Sequence, residues 1–177
     1  MRTQLGPDRS NQDGGTAAPS DAIVCPDLGL RIARDGTWHY RGSPIRRLPL
    51  VRLFASVLRR DDDGGYWLVT PVERGRIEVD DVPFTGVELR VAGTGADSAL
   101  DLRTNLDAWV EIGPDHPLRF DEREGAAVPY VTVRPGLEAR VERAPYYQLV
   151  DLALDADLDS PGVWSRGAFY ALPQPSE

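Results

Sequence analysis

The side chains with which this chain could bind a small molecule are arginines, aromatic rings, an amide and hydroxyl or carboxyl groups near two similar stretches of sequence. Arginine binds phosphate and carboxylate groups through two parallel hydrogen bonds, and an aromatic ring can stack on a planar group. Such residues suit an anionic ligand that carries a planar ring. The candidate ligand-binding residues are Arg46, Thr70, Glu73, Arg103, Asn105, Tyr130, Arg134 and Arg140.

Each candidate also has a purely structural explanation. The arginines could form ion pairs at an interface, Asn105 could stabilise a turn, and Trp38 and Trp109 could be equivalent core residues of two related units. Taken one at a time, the residues fit these structural roles better than a ligand-binding role. The alternatives therefore stay open at the level of single residues.

Motifs for catalysis and metal binding are missing from the sequence. The two histidines and the single Cys25 show no metal-ligand spacing, and neither a nucleophile elbow nor a phosphate loop is present. The run Asp61-Asp62-Asp63 lacks the alternating ligands of a calcium loop and predicts a solvated connection. We expect no catalytic residue, no metal and no cofactor. A non-enzymatic role is favoured, with an active site assembled from distant residues as the alternative.

The overall charge argues against two classes of partner. The net charge of -8 disfavours general nucleic-acid binding and binding to anionic membranes. Residues 29–60 form a basic block with eight arginines and one acidic residue, whereas the rest of the chain is acidic. This pattern predicts docking of the two parts or a local anion site. With 41% apolar residues and neither a signal-peptide pattern nor a membrane-spanning run, we expect a soluble, cytoplasmic protein.

Two stretches of the chain repeat a pattern and predict a duplicated β unit. Trp38 is followed by Gly42 and a Pro-Ile-Arg run, and Trp109 by Gly113 and a Pro-Leu-Arg run. The segments Y-W-L-V-T-P from Tyr66 and Y-V-T-V-R-P from Tyr130 share a spacing of five residues. Internal similarity of this kind changes the expected fold. Chance matching of short motifs is the alternative.

The same residues resemble the bacterial family called domain of unknown function 1285, over roughly residues 28–172. The resembling segments, in chain order, are D-G-T-W-H-Y-R-G-S-P-I, L-V-R-L-F-A-S-V-L, Y-W-L-V-T-P-V-E-R, V-P-F, R-T-N-L-D, H-P-L and P-Y-V-T-V-R-P-G-L-E-A-R. The resemblance implies a duplicated, β-rich fold whose second half is similar to pleckstrin-homology folds. It further implies a ligand site between the halves, for example for a nucleotide, and a part in signal transduction. It implies no biochemical activity.

Periodicity and turn residues predict an α+β fold that is mostly β. It has two small, structurally related antiparallel β units with one helix each. Asp35-Gly36 predicts a hairpin turn, and apolar residues recur with helical spacing after Pro49 and after Pro145. Strands are predicted at 28–33, 37–41, 66–70, 74–79, 83–91, 99–103, 108–112, 117–120, 129–134 and 137–142, with a last extended segment at 163–172. The sheet is expected to run on as a meander.

The predicted domain organisation has four segments. Residues 1–26 form a disordered tail because they hold too few apolar residues to offset the entropy of ordering. An N-terminal β/α subdomain covers residues 27–86, a C-terminal pleckstrin-homology-like subdomain covers residues 87–173, and residues 174–177 form a short tail.

Two functions are compatible with this organisation. The first is a sensor that binds a small anionic, nucleotide-like molecule between the halves, where an anion would bring Arg46 and Arg134 together. The second is an adaptor that holds a peptide of a protein partner at a sheet edge or groove. A closed pocket lined by arginine and aromatic residues favours the first function, and an open groove beside an unpaired strand favours the second.

Overall fold

The protein is built from two curled β-sheets, one from each half of the chain, and a small C-terminal hairpin. The computed structural model describes residues 23–123, 126–155 and 160–173. The predicted fold class, α+β and mostly β, is confirmed. Residues 1–22 of the predicted N-terminal tail and the predicted tail at 174–177 lie outside the described residues.

The first half contains seven strands and one helix. Its elements are β1 (Ile23–Cys25), β2 (Leu30–Ile32), β3 (Trp38–Tyr40), β4 (Ser43–Pro44), α1 (Leu48–Ser56), β5 (Leu58–Arg60), β6 (Tyr66–Val69) and β7 (Glu73–Val79). The prediction of a disordered tail up to residue 26 is wrong at its end, since β1 pairs in parallel with β7. The three residues of β1 gain order from this pairing, which composition does not reveal.

The second half contains a six-stranded sheet, one α-helix and the hairpin. Its elements are β8 (Phe84–Ala92), a 3₁₀ turn (Gly95–Asp97), β9 (Ala99–Thr104), β10 (Trp109–Ile112), β11 (Leu118–Arg123), β12 (Ala126–Arg134), β13 (Leu137–Val141), α2 (Arg143–Asp155), β14 (Gly162–Ser165) and β15 (Ala168–Ala171). The predicted last extended segment is an antiparallel hairpin of β14 and β15. The predicted boundary between residues 86 and 87 lies within β8, and residues 80–83 connect the two sheets.

The two sheets share one strand order. The first runs β4-β3-β2-β7-β6-β5 and the second runs β10-β9-β8-β13-β12-β11, so that β2 corresponds to β8 and β7 to β13. Both corresponding pairs, β2 with β7 and β8 with β13, are parallel. The expectation of one antiparallel meander is therefore wrong, because β7 and β8 belong to different sheets. The shared order agrees with a duplicated unit.

The residues that first indicated the duplication are only partly equivalent. Tyr66 and Tyr130 lie in the corresponding strands β6 and β12. Trp38 lies in β3, whereas Trp109 lies in β10, which corresponds to β4. Trp38 is 1% exposed and stacks on Phe54 of α1, while Trp109 is half-buried. The two tryptophans are thus not equivalent core residues.

Both predicted helices are present, and each covers apolar surface. Helix α1 has Pro49 in its first turn, where a missing N–H costs nothing, and it buries Val51 and Ala55. Helix α2 buries Leu149 and Ala153 and packs against β8 and β14. One hydrophobic cluster includes residues of both sheets, so the halves share a core.

The second sheet is rolled. Its two edge strands, β10 and β11, are consecutive in the chain and are joined by a short connection over residues 113–117. A backbone bridge between Gly113 and His116 tightens this connection. The two edges of the sheet therefore meet at one end, and β10 has a neighbouring strand, β9, on one side only.

Candidate functional site

A cleft with a volume of about 760 Å³ lies between the C-terminal turn of α1 and the β10 edge of the second sheet. It therefore has walls from both halves of the chain. This volume is within the range of about 300–1,000 Å³ that is usual for small-molecule sites. Its charged and aromatic lining residues are Arg52, Phe84, Trp109, Glu111, Asp115, His116, Arg134 and Arg166.

Arg134 connects the two walls of the cleft. It lies at the end of β12, and its guanidinium donates hydrogen bonds to the carbonyl oxygens of Ala55 at 2.6 Å and Ser56 at 3.4 Å. These carbonyls belong to the last turn of α1, where carbonyl groups lack the regular helical partner four residues on, and Arg134 caps them. Burial of the guanidinium, and then the nearby charge of Arg59, lowers the pKa of Arg134 below the usual arginine value.

The charge of Arg134 is not neutralised within the described part of the chain. Its hydrogen bonds go to neutral carbonyl groups, and it takes part in none of the ion pairs found there. Arg59 also donates to the Ser56 carbonyl, at 3.1 Å, so a second guanidinium lies close by. A half-buried positive charge with a like-charged neighbour favours an anion in the adjoining cleft.

The other two arginines of the cleft are bound to carboxylates. Arg52 of α1 donates to the carboxylate of Asp107 and, at 3.0 Å, to the carbonyl oxygen of Leu106, both in the turn between β9 and β10. Arg166 binds Asp101 at 2.5 Å and lies 3.4 Å from Glu111. Arg52 therefore fastens α1 to the second sheet, and Arg166 is a fixed part of the cleft wall.

Ser165 and Arg166 close the end of the ladder between β9 and β10. The fully buried Ser165 hydroxyl accepts a hydrogen bond from the Leu100 N–H at 2.9 Å and donates one to the Ile112 carbonyl at 2.6 Å. The Arg166 guanidinium donates to the carbonyls of Leu100 at 2.8 Å and Ile112 at 3.2 Å. The hairpin of β14 and β15 thus holds β10 in place.

An aromatic and an imidazole ring complete the lining. The Arg90 guanidinium lies 3.8 Å from the centroid of the Trp109 ring. His116 forms a 3.0 Å hydrogen bond between Nδ1 and the Thr132 carbonyl. Because a carbonyl only accepts, Nδ1 carries the proton, which leaves Nε2 of the neutral ring as an acceptor. The cleft can therefore offer a guanidinium donor, a planar ring and an imidazole acceptor.

Three of the sequence-predicted residues lie in one row across the second sheet, away from the cleft lining. Arg140 on β13 is directly opposite Tyr130 on β12 on one side and Thr85 on β8 on the other. The Thr85 N–H donates a hydrogen bond to the side-chain oxygen of Asn105. Asn105 further donates to the Gly36 carbonyl at 3.3 Å, so it links the second sheet to the first hairpin. These contacts give Asn105 a role in joining the halves.

An anion already lies beside this row, and it comes from the chain itself. The Tyr130 hydroxyl is 3.1 Å from both carboxylate oxygens of Asp81, whose side chain is 3% exposed. Arg140 lies 3.8 Å and Arg123 lies 3.9 Å from the same carboxylate. Burial and then the charge of Asp81 raise the pKa of Tyr130. Residues predicted to bind a ligand anion here contact the connection between the two sheets.

The remaining predicted residues are dispersed. Thr70 and Glu73 form the turn between β6 and β7, with the Thr70 hydroxyl donating to the Glu73 carbonyl at 3.0 Å. Arg103 is held by Glu88 at 2.7 Å and by Asp107 at 2.9 Å. Of the eight predicted residues, only Arg134 lines the cleft.

The expected convergence of Arg46 and Arg134 does not occur. Arg46 is exposed and precedes the first residue of α1, Leu48, whereas Arg134 binds carbonyls at the end of this helix. A helix of nine residues is about 13 Å long. The two arginines therefore lie at opposite ends of α1, because Arg46 precedes this helix in the chain and Arg134 reaches its last turn from β12.

Three basic residues of the cleft were not predicted from the sequence: Arg52, His116 and Arg166. Arg52 lies within the helical pattern after Pro49 and His116 lies in a Pro-Asp-His-Pro segment, and neither setting reveals the contacts of the side chain. Arg166 had a readable signal, since Arg166-Gly167 between two aromatic segments is typical of a two-residue hairpin turn. Both residues have a positive φ, 49° and 78°.

Two further properties concern the described residues as a whole. Within the ranges 23–123, 126–155 and 160–173, no group of three or more His, Cys, Asp or Glu residues is arranged to hold a metal ion. Neither helix in these ranges has the length and apolar character needed to cross a bilayer.

Comparison with known proteins shows one family over both halves. Residues 21–82 match the model of the N-terminal domain of unknown function DUF1285, and residues 83–172 match the model of the C-terminal domain of the same family. No curated protein is significantly similar to the chain.

Two solved structures are similar to this one. A DUF1285 family protein from Silicibacter pomeroyi DSS-3 is 39% identical, with a TM-score of 0.79, over 89% of this chain and 88% of that chain. A DUF1285 family protein from Shewanella baltica OS155 is 28% identical, with a TM-score of 0.55, over 70% of this chain and 91% of that chain. The matching models over both halves, together with the 39% identity to the Silicibacter pomeroyi protein, show that the chain belongs to the DUF1285 family.

Proposed function

We propose that this protein is a ligand-binding module that takes a small anionic, nucleotide-like molecule in the cleft between its two halves, and that this binding serves a sensing step in signal transduction. The observation that carries the proposal is the half-buried guanidinium of Arg134, which lines the cleft and whose hydrogen bonds in the described part of the chain go only to neutral carbonyls. An anion at this position would neutralise the charge and offset the cost of burying it.

The other lining residues suit a ligand with a planar group. The Trp109 ring is half-buried in the wall and offers a surface for stacking, and His116 offers Nε2 as an acceptor. Because Arg134 comes from the second half and contacts α1 of the first, a ligand held by Arg134 would also stabilise the contact between the halves. The output of binding would then be a change in how firmly the halves are joined.

A thermal-shift measurement tests the proposal directly. The panel contains nucleoside monophosphates and triphosphates, each paired with its uncharged nucleoside, and inorganic phosphate. A ligand that binds only the folded state adds about 2.7 kcal/mol when present at about 100 times its Kd. We expect at least one phosphorylated compound to raise the melting temperature by several degrees and its uncharged nucleoside to have no effect.

Two arginine variants locate the site. Arg134→Ala should abolish the shift, measured relative to the melting temperature of the same variant without ligand, because this variant also loses the contacts to α1. Arg46→Ala is the matched control at the other end of α1 and should keep the shift. The proposal fails if no anion stabilises the protein at millimolar concentration. The cleft is the wrong site if Arg46→Ala, and not Arg134→Ala, removes the effect.

A further inference from the structure

The inference concerns β10, the edge strand that forms one wall of the cleft. Residues 108–111 of this region line the cleft, and β9 is its only strand partner in the described part of the chain. An edge strand presents unpaired N–H and C=O groups to one side. Which residues present them follows from the pairing on the opposite side.

The hydrogen bonds to β9 fix the alternation. The Thr104 N–H donates to the Ala108 carbonyl at 2.8 Å, and the register places Trp109 opposite Arg103. Ala108 and Thr104 are therefore a hydrogen-bonded pair, and bonded pairs alternate with non-bonded pairs in an antiparallel ladder. Val110 faces β9 with its main-chain groups. Trp109 and Glu111 present theirs to the open edge.

The open edge is held at its far end and faces a cleft instead of a flat surface. Ser165 and Arg166 hold its far end through four hydrogen bonds to Leu100 and Ile112. The opposite wall contains Val133 and Arg134 of β12 and the end of α1. A preorganised edge inside a cleft lowers the entropic cost of adding a strand.

We propose that the β10 edge docks an extended peptide segment of a partner protein, which adds to the sheet as a further strand and places an acidic side chain toward Arg134. Charge selects the acidic side chain. Of the three arginines in the lining, Arg52 and Arg166 bind carboxylates of the chain itself, and Arg134 does not. Main-chain hydrogen bonds to Trp109 and Glu111 supply affinity that does not depend on the peptide's sequence.

This inference goes beyond the binding of a small anion and stands on a different observation, the unpaired main chain of β10. The two ligands would share the cleft and the charge of Arg134. They would therefore exclude each other, and a nucleotide that binds the cleft would release the peptide. Nucleotide binding can fail its own test while peptide binding passes, because the open edge does not depend on it.

The experiment starts from phage-displayed heptapeptides selected against the full-length protein, and one enriched peptide is synthesised with a fluorescent label. Its affinity is measured by fluorescence anisotropy for the wild type, Glu111→Pro and Glu111→Ala. Both substitutions remove the Glu111 side chain, but proline also removes the backbone N–H that faces the open edge, whereas alanine keeps it. Proline is tolerated at such a position because the missing N–H takes no part in the pairing with β9. We expect Glu111→Pro to weaken binding about tenfold or more and Glu111→Ala to stay within about twofold.

Two further measurements make the result independent of whether the proline variant folds. In the wild type, hydrogen exchange of the Trp109 and Glu111 amides should slow on peptide addition, whereas the Val110 amide, already bonded to β9, should change little. An amide in place of the peptide's acidic group should weaken binding to the wild type and not to Arg134→Ala. The proposal is overturned if no peptide is enriched, or if the bound peptide leaves exchange at Trp109 and Glu111 unchanged.

Discussion

Removing one hydroxyl group, with Tyr130→Phe, tests whether the buried carboxylate of Asp81 holds the two halves together. Tyr130 is 1% exposed, and the substitution leaves its ring in place between the strands. It also keeps the Arg119 guanidinium, which lies 4.5 Å from the ring centroid. What is lost is the hydrogen bond to Asp81, so that the carboxylate keeps only two arginines at 3.8 and 3.9 Å.

The expected cost follows from the charge and burial of the partner. A hydrogen bond to a charged group contributes about 1.5–3 kcal/mol, and a carboxylate that is 3% exposed cannot exchange it for one to water. In a protein of this size, 1 kcal/mol corresponds to about 2–4 °C in melting temperature. We expect Tyr130→Phe to lower the melting temperature by roughly 3–12 °C. Tyr40→Phe, at a residue 46% exposed, is the matched control and should change stability by less than about 0.5 kcal/mol.

A double-mutant cycle identifies the partner. Denaturant unfolding of Tyr130→Phe, Asp81→Ala and the double variant gives the three free energies. If the hydroxyl acts through Asp81, the loss in free energy of unfolding of the double variant should be smaller than the sum of the two single losses, by about 1 kcal/mol or more. The reason is that the double variant leaves no buried carboxylate without its partner. Additivity within about 0.5 kcal/mol would refute the reasoning and show that Tyr130 stabilises the protein by packing alone.

Three further variants or conditions test the core and the buried tyrosines. Trp38→Ala should lower the free energy of unfolding by about 3–5 kcal/mol, and Trp109→Ala by clearly less, because Trp38 is 1% exposed and Trp109 is half-buried; denaturant unfolding measures both. Gly86→Ala should cost about 1–3 kcal/mol, since the added methyl would lie 2.5 Å from the side chain of Leu102, which is fully buried. Burial raises the pKa of Tyr66, Tyr130 and Tyr170 in the folded state, so the unfolded chain loses these protons first. Stability should therefore fall with rising pH above about pH 10, and melting temperatures measured across pH 8–11 test the sign of this change.

The elements of the fold were largely predictable because their signals are local. The Asp35-Gly36 pair gave the first hairpin, and the apolar spacing after Pro49 and Pro145 gave both helices. The pairing of strands was not predictable. The parallel contacts of β2 with β7 and of β8 with β13 join segments more than 40 residues apart, and no turn residue specifies such a contact.

The site was predictable only for Arg134, and the reason is physical. Residue type and position in a repeat cannot distinguish an arginine that meets a carboxylate from one that meets carbonyl groups. Arg103 and Arg140 are as suited to anion binding as Arg134, but Glu88 and Asp107 hold Arg103, and Asp81 lies beside Arg140. These acidic residues lie in other elements. Which arginine keeps an unpaired charge therefore depends on the pairing of strands, which could not be predicted from the sequence.

The distribution of charge along the chain had predicted that a basic first block docks onto an acidic remainder, and the structure contains contacts of this kind. Arg31 binds Asp80 in the connection between the two sheets. Arg52 of the first half binds Asp107 of the second half. Both arginines are neutralised by doing so. Among the three arginines that line the cleft, Arg134 alone forms no ion pair in the described part of the chain; it comes from the acidic half and reaches back to the end of α1. Docking of opposite charges is therefore compatible with an anion in the cleft, because the contact between Arg52 and Asp107 leaves the charge of Arg134 in the same lining unpaired.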